Sequence, residues 1–309
     1  MNPFTDIPAD SVSALGEEKL IAAIRRWLGA ASPRAPFGIG DDCAVLAPSR
    51  GRQLITVDPV IYGEHFDDTV SPRAAGGKLF KRNLSDIAAM GGRPRAAVVA
   101  LALDRRVKLT WLEQFYRGLA AISRRHHVPL VGGDIAHHRG GIVATLTLVG
   151  EAAAARVVTR TGACVGDSIW VSGALGNSLR SGHHWRFAPR LAEGQWLARR
   201  RHVHAMIDLS DGLAKDLRVL APRGAEAALD SGAIPRRAGA TLAAALGEGE
   251  DYELVFALAD RADRKKFAQA WRKKFPRTRL SCIGRFVRAG ARPSSAVNLA
   301  DYRGFEHLR

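Results

Sequence analysis

The sequence predicts an α/β (α+β) protein of two domains, and three observations carry that reading. Its 309 residues amount to about two domains of ~150 residues each. The composition, 47% hydrophobic and 25% charged, is that of an ordinary globular chain able to bury its own core. Helical and strand-like apolar patterns alternate through both halves, with Gly, Pro and Asp between them.

Each element follows from local pattern. Leu15, Leu20, Ile21, Ile24 and Leu28 make an apolar stripe, which predicts an opening helix over residues 13–29. A Pro/Gly-rich turn over 32–40 leads to short strands at 44–46 and 54–57. Residues 72–91 read as a helix stopped by Gly91-Gly92 and Pro94. A strand at 96–103, an amphipathic helix at 109–126, and strands at 128–130 and 142–149 complete a mixed-sheet half. The alanine-rich stretch 151–155 sets the boundary, giving an N-terminal domain over 1–150 and a C-terminal α/β domain over 151–309. There, a strand at 167–171 runs through 172–177 into a helix. A strand at 205–207 passes through Asp208-Leu209-Ser210-Asp211-Gly212 into a helix from about Leu213. A strand at 252–257 and a basic helix at 262–275 follow.

Composition narrows the function. No run of 18 uncharged apolar residues is present, so no membrane helix is expected. The first residues carry acids rather than the basic-then-apolar pattern of a signal peptide, which predicts a cytoplasmic protein without a membrane role. Cys43, Cys164 and Cys282 lie far apart with no CxxC and no neighbouring histidine. They read as reduced, mostly packed thiols rather than as a disulfide framework or zinc site. The net charge is +16, but the arginines are scattered and aromatics make up only 7%. Without basic-aromatic interleaving, that charge favours anionic small substrates over nucleic acid.

The recurring chemical event is an aspartate where an extended segment turns: Gly40-Asp41-Asp42, Thr56-Val57-Asp58, Asn83-Leu84-Ser85-Asp86, Gly132-Gly133-Asp134 and Asp208-Leu209-Ser210-Asp211-Gly212. Any one of these is explained by capping or turn formation, and Gly132-Gly133 by a tight turn. Their number points to hard cations as well. In helix 72–91, Leu79, Phe80, Leu84, Ile87 and Met90 share a face that includes Asn83, with Asp86 at its edge. A buried amide or carboxylate needs a partner there, either backbone hydrogen bonds or a metal or charged ligand. Magnesium takes oxygen ligands of this kind together with phosphate oxygens. Two unit negative charges at ~4 Å repel by ~4 kcal/mol at an effective dielectric near 20, so bringing a triphosphate to a second phosphate calls for bridging metal. No GxxxxGK[ST], GxGxxG, kinase HRD/DFG set, GxSxG or HExxH occurs. The pairs His126-His127, His137-His138 and His183-His184 are expected at the surface.

Taken together, these stretches resemble the thiamine-monophosphate kinase family, within the AIR synthetase-like superfamily of ATP-using enzymes. The segments that carry the resemblance are Gly38-Ile39-Gly40-Asp41-Asp42-Cys43-Ala44, Asp58 through His65-Phe66, Asn83-Leu84-Ser85-Asp86-Ile87-Ala88-Ala89-Met90-Gly91, Gly132-Gly133-Asp134, Thr159-Arg160-Thr161-Gly162-Ala163 with Gly166-Asp167, Ile207 through Leu213, Gly249-Glu250-Asp251-Tyr252-Glu253-Leu254, and Gly304-Phe305-Glu306-His307. They stand in family order over nearly the whole chain.

The resemblance implies an AIR synthetase-like fold in a homodimer, with ATP and several Mg²⁺ held between the halves of each protomer. By position, Asp42, Thr56, Asp58, Asp86, Asp134, Asp208 and Asp211 would be metal ligands. Gly133, Arg160 and Ser210 would hold ATP, and His65, Glu250 and Phe305 would contact thiamine monophosphate. The implied reaction passes the γ-phosphoryl group directly to the substrate phosphate, without an acid/base side chain. Val57, Tyr62, Glu64, Ile135 and Glu248 depart from the family's usual residues, and Phe305 replaces the commoner tryptophan. The metal aspartates are intact, whereas the substrate-side changes leave open a paralogue acting on another small acceptor.

Overall fold

Short polar residues and prolines mark where helices begin, because the first turn leaves backbone donors without intrahelical partners. Ser71 supplies an acceptor to the Ala74 N–H at 3.2 Å, and Pro72 opens the helix that follows. A computed structural model describes residues 1–40, 43–49 and 51–306 of the chain. It forms two compact units, one of Met1–Ile87 with Arg93–Glu151 and one of Ala88–Gly92 with Ala152–Arg309.

The first unit contains α1 (Glu17–Leu28), β1 (Gln53–Ile61), α2 (Pro72–Ala89), β2 (Gly92–Leu103), α3 (Leu109–His126), β3 (Leu130–His137) and β4 (Ile142–Ala152). Its sheet runs β1-β4-β2-β3. β1 pairs antiparallel with β4, setting Thr56 opposite Leu148 and Asp58 opposite Leu146. β2 and β3 pair in parallel, with Val99 opposite Gly133 and Ala100 opposite Asp134. Glycines let α2 and α3 cross at backbone contact. A Cβ at Gly76 would lie 2.1 Å from the Phe115 carbonyl oxygen, and one at Gly118 would lie 2.1 Å from that of Arg73.

Several expectations change here. The first helix starts at Glu17, not 13, because Val12–Ala14 forms a 3-10 turn and Gly16, at φ 70°, interrupts the chain. No strand forms at 44–46; the Val45 N–H instead donates to the Pro36 carbonyl at 2.7 Å. Gly132-Gly133-Asp134 lies inside β3 rather than in a turn. α2 is buried on nearly every side, so that Lys78, Lys81 and Arg82 are covered along with the apolar face.

The second unit contains β5 (Ser168–Ser172), α4 (His183–Arg186), α5 (Leu191–Ala198), β6 (Val203–Asp208), α6 (Leu213–Leu220), β7 (Ala225–Leu229), α7 (Leu242–Gly247), β8 (Leu254–Leu258), α8 (Arg264–Lys274) and β9 (Leu280–Arg288). The strands run β6-β8-β5-β9-β7, each paired antiparallel with its neighbour. Side chains alternate across a strand, and here both faces are covered. Ile169, Val171, Val255 and Ala257 pack with Leu213 and Leu217 of α6. The residues between them, Trp170, Leu254 and Phe256, pack with Trp196 of α5 and Trp271 of α8. Central strands β5 and β8 are consequently buried along their whole length.

The cysteines are less covered than their apolar character suggested: Cys43 and Cys164 are exposed and Cys282 is half-buried, all three as free thiols. Among the described residues, no helix is long and apolar enough to cross a membrane.

Candidate active site

In the first unit, two periodicities bring the acidic residues together. Thr56 and Asp58 are two apart on β1 and share a face, while Arg82 and Asp86 are four apart on α2 and share a side. The Thr56 hydroxyl donates to Asp86 Oδ2. Arg82 donates to the Pro59 carbonyl at 2.9 Å and to Asp58 Oδ1 at 3.4 Å. A hydroxyl and two carboxylates therefore stand together with one guanidinium beside them. The other face of β1 carries Ile55 and Val57, which are 75% and 58% exposed. The departure at Val57 thus points away from this group.

Asn83, expected on the same helix to meet a metal, a charged ligand or backbone, is fully buried and donates to the Leu79 carbonyl at 3.0 Å. Its Oδ1 has no hydrogen-bond partner among the described residues. His65 is buried as well; its ring accepts the Ile61 N–H at 3.3 Å, and Lys78 donates to its carbonyl at 2.8 Å. Asp42 lies outside the described residues.

Gly133 and Asp134 sit on β3, at the opposite edge of the sheet from β1. Gly133 is required by backbone approach, since a Cβ there would lie 2.0 Å from the Val99 carbonyl oxygen. Beside it opens a cavity of about 600 Å³ lined by Ile21, Ile24 and Leu28 of α1, Tyr116 of α3, and Gly133 and Asp134. Apolar walls with the Glu17 and Asp134 carboxylates and bare backbone at Gly132-Gly133 suit a flat organic ring with hydrogen-bonding groups at its edge.

In the second unit, β6 ends at Asp208 and α6 begins at Leu213, which leaves the intervening loop to be held from outside. The 249–252 segment does this. Glu250 N–H donates to the Ser210 carbonyl at 2.7 Å, and Tyr252 N–H to that of Leu209 at 2.8 Å. Glu250 and Tyr252 both adopt left-handed backbone, at φ 63° and 51°. A Cβ at Gly249 would lie 2.4 Å from the Ser210 carbonyl, so the approach itself requires glycine. Ser210 is therefore bound through its carbonyl, and the helix N-cap is Gly212.

Acidic groups accumulate at this loop. Asp216 Oδ2 accepts the Asp211 N–H at 3.0 Å, and Lys215 lies 2.7 Å from Asp211 Oδ2. Burial first, and Asp208 second, push the Asp216 carboxyl up to about 8. Lys215 also donates to the Phe305 carbonyl at 2.6 Å, while Phe305 N–H donates to the Asp211 carbonyl at 2.9 Å. The C-terminal segment is thereby tied to the start of α6, with the Phe305 side chain half exposed. Glu250 meets His184 Nδ1 at 3.1 Å. That histidine is buried and His183 contacts the Asp251 carbonyl at 3.0 Å, so this pair is not at the surface as expected. Arg160 is exposed on a segment tied to β6 by the Met206 N–H, which donates to the Thr159 carbonyl at 3.0 Å.

Arg82, Lys215, Asp216 and His184 escaped the sequence reading, although helical spacing already placed Arg82 beside Asp86. His184 had no such signal; only the fold brings it to Glu250.

The model of a family described as AIR synthase related protein, N-terminal domain, matches residues 40–152. The chain is 35% identical over 277 residues to a thiamine-monophosphate kinase of Salmonella typhimurium, covering 80% of this chain and 84% of that protein. It is 32% identical to one of Haemophilus influenzae, covering 96% and 99%. Among solved structures, thiamine-monophosphate kinase from Stenotrophomonas maltophilia superposes with a TM-score of 0.75 at 29% identity, covering 86% of this chain and 94% of that one. A structure of AaThiL complexed with AMPPCP and TMP superposes with a TM-score of 0.69 at 28% identity, covering 96% and 98%. The hydrogenase maturation protein HypE of E. coli shares the fold, with a TM-score of 0.73 at 17% identity.

Proposed function

The chain belongs to the thiamine-monophosphate kinase family, and from that premise we propose that it transfers the γ-phosphoryl group of ATP to thiamine monophosphate. An oxygen of the acceptor phosphate forms the new bond to the γ-phosphorus, the bond to the β-bridging oxygen breaks, and thiamine diphosphate and ADP result. The observation that carries this reading is the group of Thr56, Asp58 and Asp86, which β1 and α2 hold together. Its donors are hydroxyl and carboxylate oxygens without sulfur or imidazole, a set that fits magnesium. Thr56, Asp58 and Asp86, and elsewhere in the chain Asp134, Asp208, Asp211 and Asp42, are the residues that would hold several such ions. Bound magnesium ions would offset the mutual repulsion of the two phosphate groups.

The chain's own side chains position these groups. Arg82 fixes Asp58 and the Thr56 hydroxyl fixes Asp86, so neither carboxylate has to be ordered at the moment of reaction. Lys215 does the same for Asp211. Bare backbone at Gly133, the exposed Arg160 guanidinium and Ser210 are the proposed nucleotide contacts, with the cavity beside Gly133 taking the base. His65, Glu250 and Phe305 are the proposed acceptor contacts, Glu250 being held by His184. The 1–150 region is proposed as the nucleotide, metal and dimerisation domain and 151–309 as its α/β companion, in a cytoplasmic homodimer. The exposed Ile55 and Val57 on edge strand β1 support that assembly.

The test is direct. Purified protein with Mg²⁺-ATP and thiamine monophosphate is expected to yield thiamine diphosphate and ADP in equal amounts. A folded preparation that makes neither product at high enzyme concentration would end this reading.

A further inference from the structure

The second unit gathers three chemically different donors at a point where the proposed reaction uses none of them. A turn brings Cys164 and Asp167 beside His204 of β6. Asp167 is 2% exposed. Its Oδ2 accepts the Cys164 backbone N–H at 2.8 Å and lies 2.8 Å from His204 Nδ1. One donor atom each from Cys164, Asp167 and His204 lies within 4.8 Å of the other two. Backbone geometry explains the proximity: Gly162, at φ +120°, passes so near β6 that a Cβ there would lie 3.0 Å from the His204 carbonyl oxygen.

Thiolate, imidazole and carboxylate are the ligands of zinc-class ions, and three protein ligands with a fourth position left to water make an open zinc site. Magnesium, which prefers oxygen, is selected against by the same set. Around zinc, with bonds of about 2.0–2.3 Å, neighbouring donors stand about 3.3–3.8 Å apart. Asp167 Oδ2 and His204 Nδ1, at 2.8 Å, have to part by about half an ångström to share an ion, and Cys164, being exposed, has room to turn its sulfur inward.

We propose that Cys164, Asp167 and His204 form a binding site for a zinc-class divalent cation, which clips the 159–167 segment to β6. On binding, the Cys164 thiol releases its proton to solvent, and the imidazole coordinates as the neutral ring. The site is separate from the oxygen-only groups proposed for magnesium and does not depend on the phosphoryl-transfer reading.

The full chain, stripped with chelator and exchanged free of it, is titrated with Co²⁺ while thiolate-to-cobalt charge-transfer absorption is followed. The expected result is a band that saturates at one ion per chain, is removed by Zn²⁺ and persists in a large excess of Mg²⁺. Cys164→Ser is expected to abolish the band and Cys43→Ser to leave it intact. His204→Gln is expected to weaken Co²⁺ binding ~10-fold or more. Zn²⁺ should raise the melting temperature of the wild type and leave that of Cys164→Ser unchanged. Melting without metal shows whether each variant folds. Absence of the band in the wild type overturns the proposal, as does its survival in Cys164→Ser. Unchanged affinity in a folded His204→Gln removes the histidine and with it the site.

Discussion

At the scale of single residues, charge and hydrogen-bonding capacity can be separated at Asp86. The Thr56 hydroxyl donates to one of its carboxylate oxygens, and an asparagine can present its own oxygen to the same hydroxyl. Asp86→Asn therefore keeps the local hydrogen bond while losing the negative charge. We expect kcat to fall ~100-fold or more, as when one preorganised electrostatic group is removed, with the melting temperature nearly unchanged. A variant that retains kcat, or one that unfolds before it loses turnover, would make Asp86 a structural residue. The sequence already placed Asp86 at the edge of a buried helix face. It could not show that Arg82, one helical turn earlier, pairs with Asp58 on a strand.

At the scale of elements, the first unit depends on helices whose backbones touch. α2 and α3 cross where Gly76 faces the Phe115 carbonyl and Gly118 faces that of Arg73, each with room for hydrogen only. Gly118→Ala pushes a methyl group into backbone rather than into a movable side chain, so the helices have to separate. Chemical denaturation should register a loss of about 2–3 kcal/mol, at the upper end of the usual cost of overpacking. A loss no larger than that of an exposed-site alanine would mean that the crossing is looser than the geometry indicates. Elements of this kind explain what sequence patterning resolved and what it did not. α3 was legible to its ends because its apolar stripe is strong and its far face is solvated. α2 was legible as a helix but not as a buried one, since three of its cations are covered by structure from elsewhere. β7 and β9 lacked the alternating apolar pattern, and pairing of β9 with β5 and of β7 with β9 supplies their order instead.

At the scale of the whole molecule, the excess of basic residues has a cost where one is enclosed. Burial first, then Arg125 and Lys78, push the Lys81 ammonium from an ordinary 10.5 down to about 8. The unfolded chain keeps an ordinary lysine there, so between pH 8 and 10.5 it binds more protons than the folded one. Stability attributable to this group therefore rises with pH across that window, and the full deficit is present below pH 8. Lys81→Met should remove this deficit, so that its stability relative to the wild type gains on the order of 2–3 kcal/mol at pH 7 over its value at pH 10.5. The gain should shrink as the pH approaches 10. Unfolding free energies measured for both proteins at several pH values check this, and a difference that grows with pH would refute it. The net charge of +16 otherwise suits a protein whose proposed co-substrate, ATP, is a polyanion.

The amino-acid sequence alone determined the mixed α/β class, most of the helices and strands, and the ordered motifs that place the chain among thiamine-monophosphate kinases. These are properties of local periodicity, turn chemistry and motif order, and they are written in neighbouring residues. Tertiary structure decided which acidic groups meet. Thr56 and Asp58 reach Asp86 and Arg82 because β1 lies against α2, and His184 reaches Glu250 because the 249–252 loop holds left-handed backbone. It also decided that an exposed Cys164 stands beside His204, a histidine with no relation to it in sequence spacing. Such meetings depend on strand register and on close backbone approaches at a few glycines, and neither leaves a periodic signal along the chain.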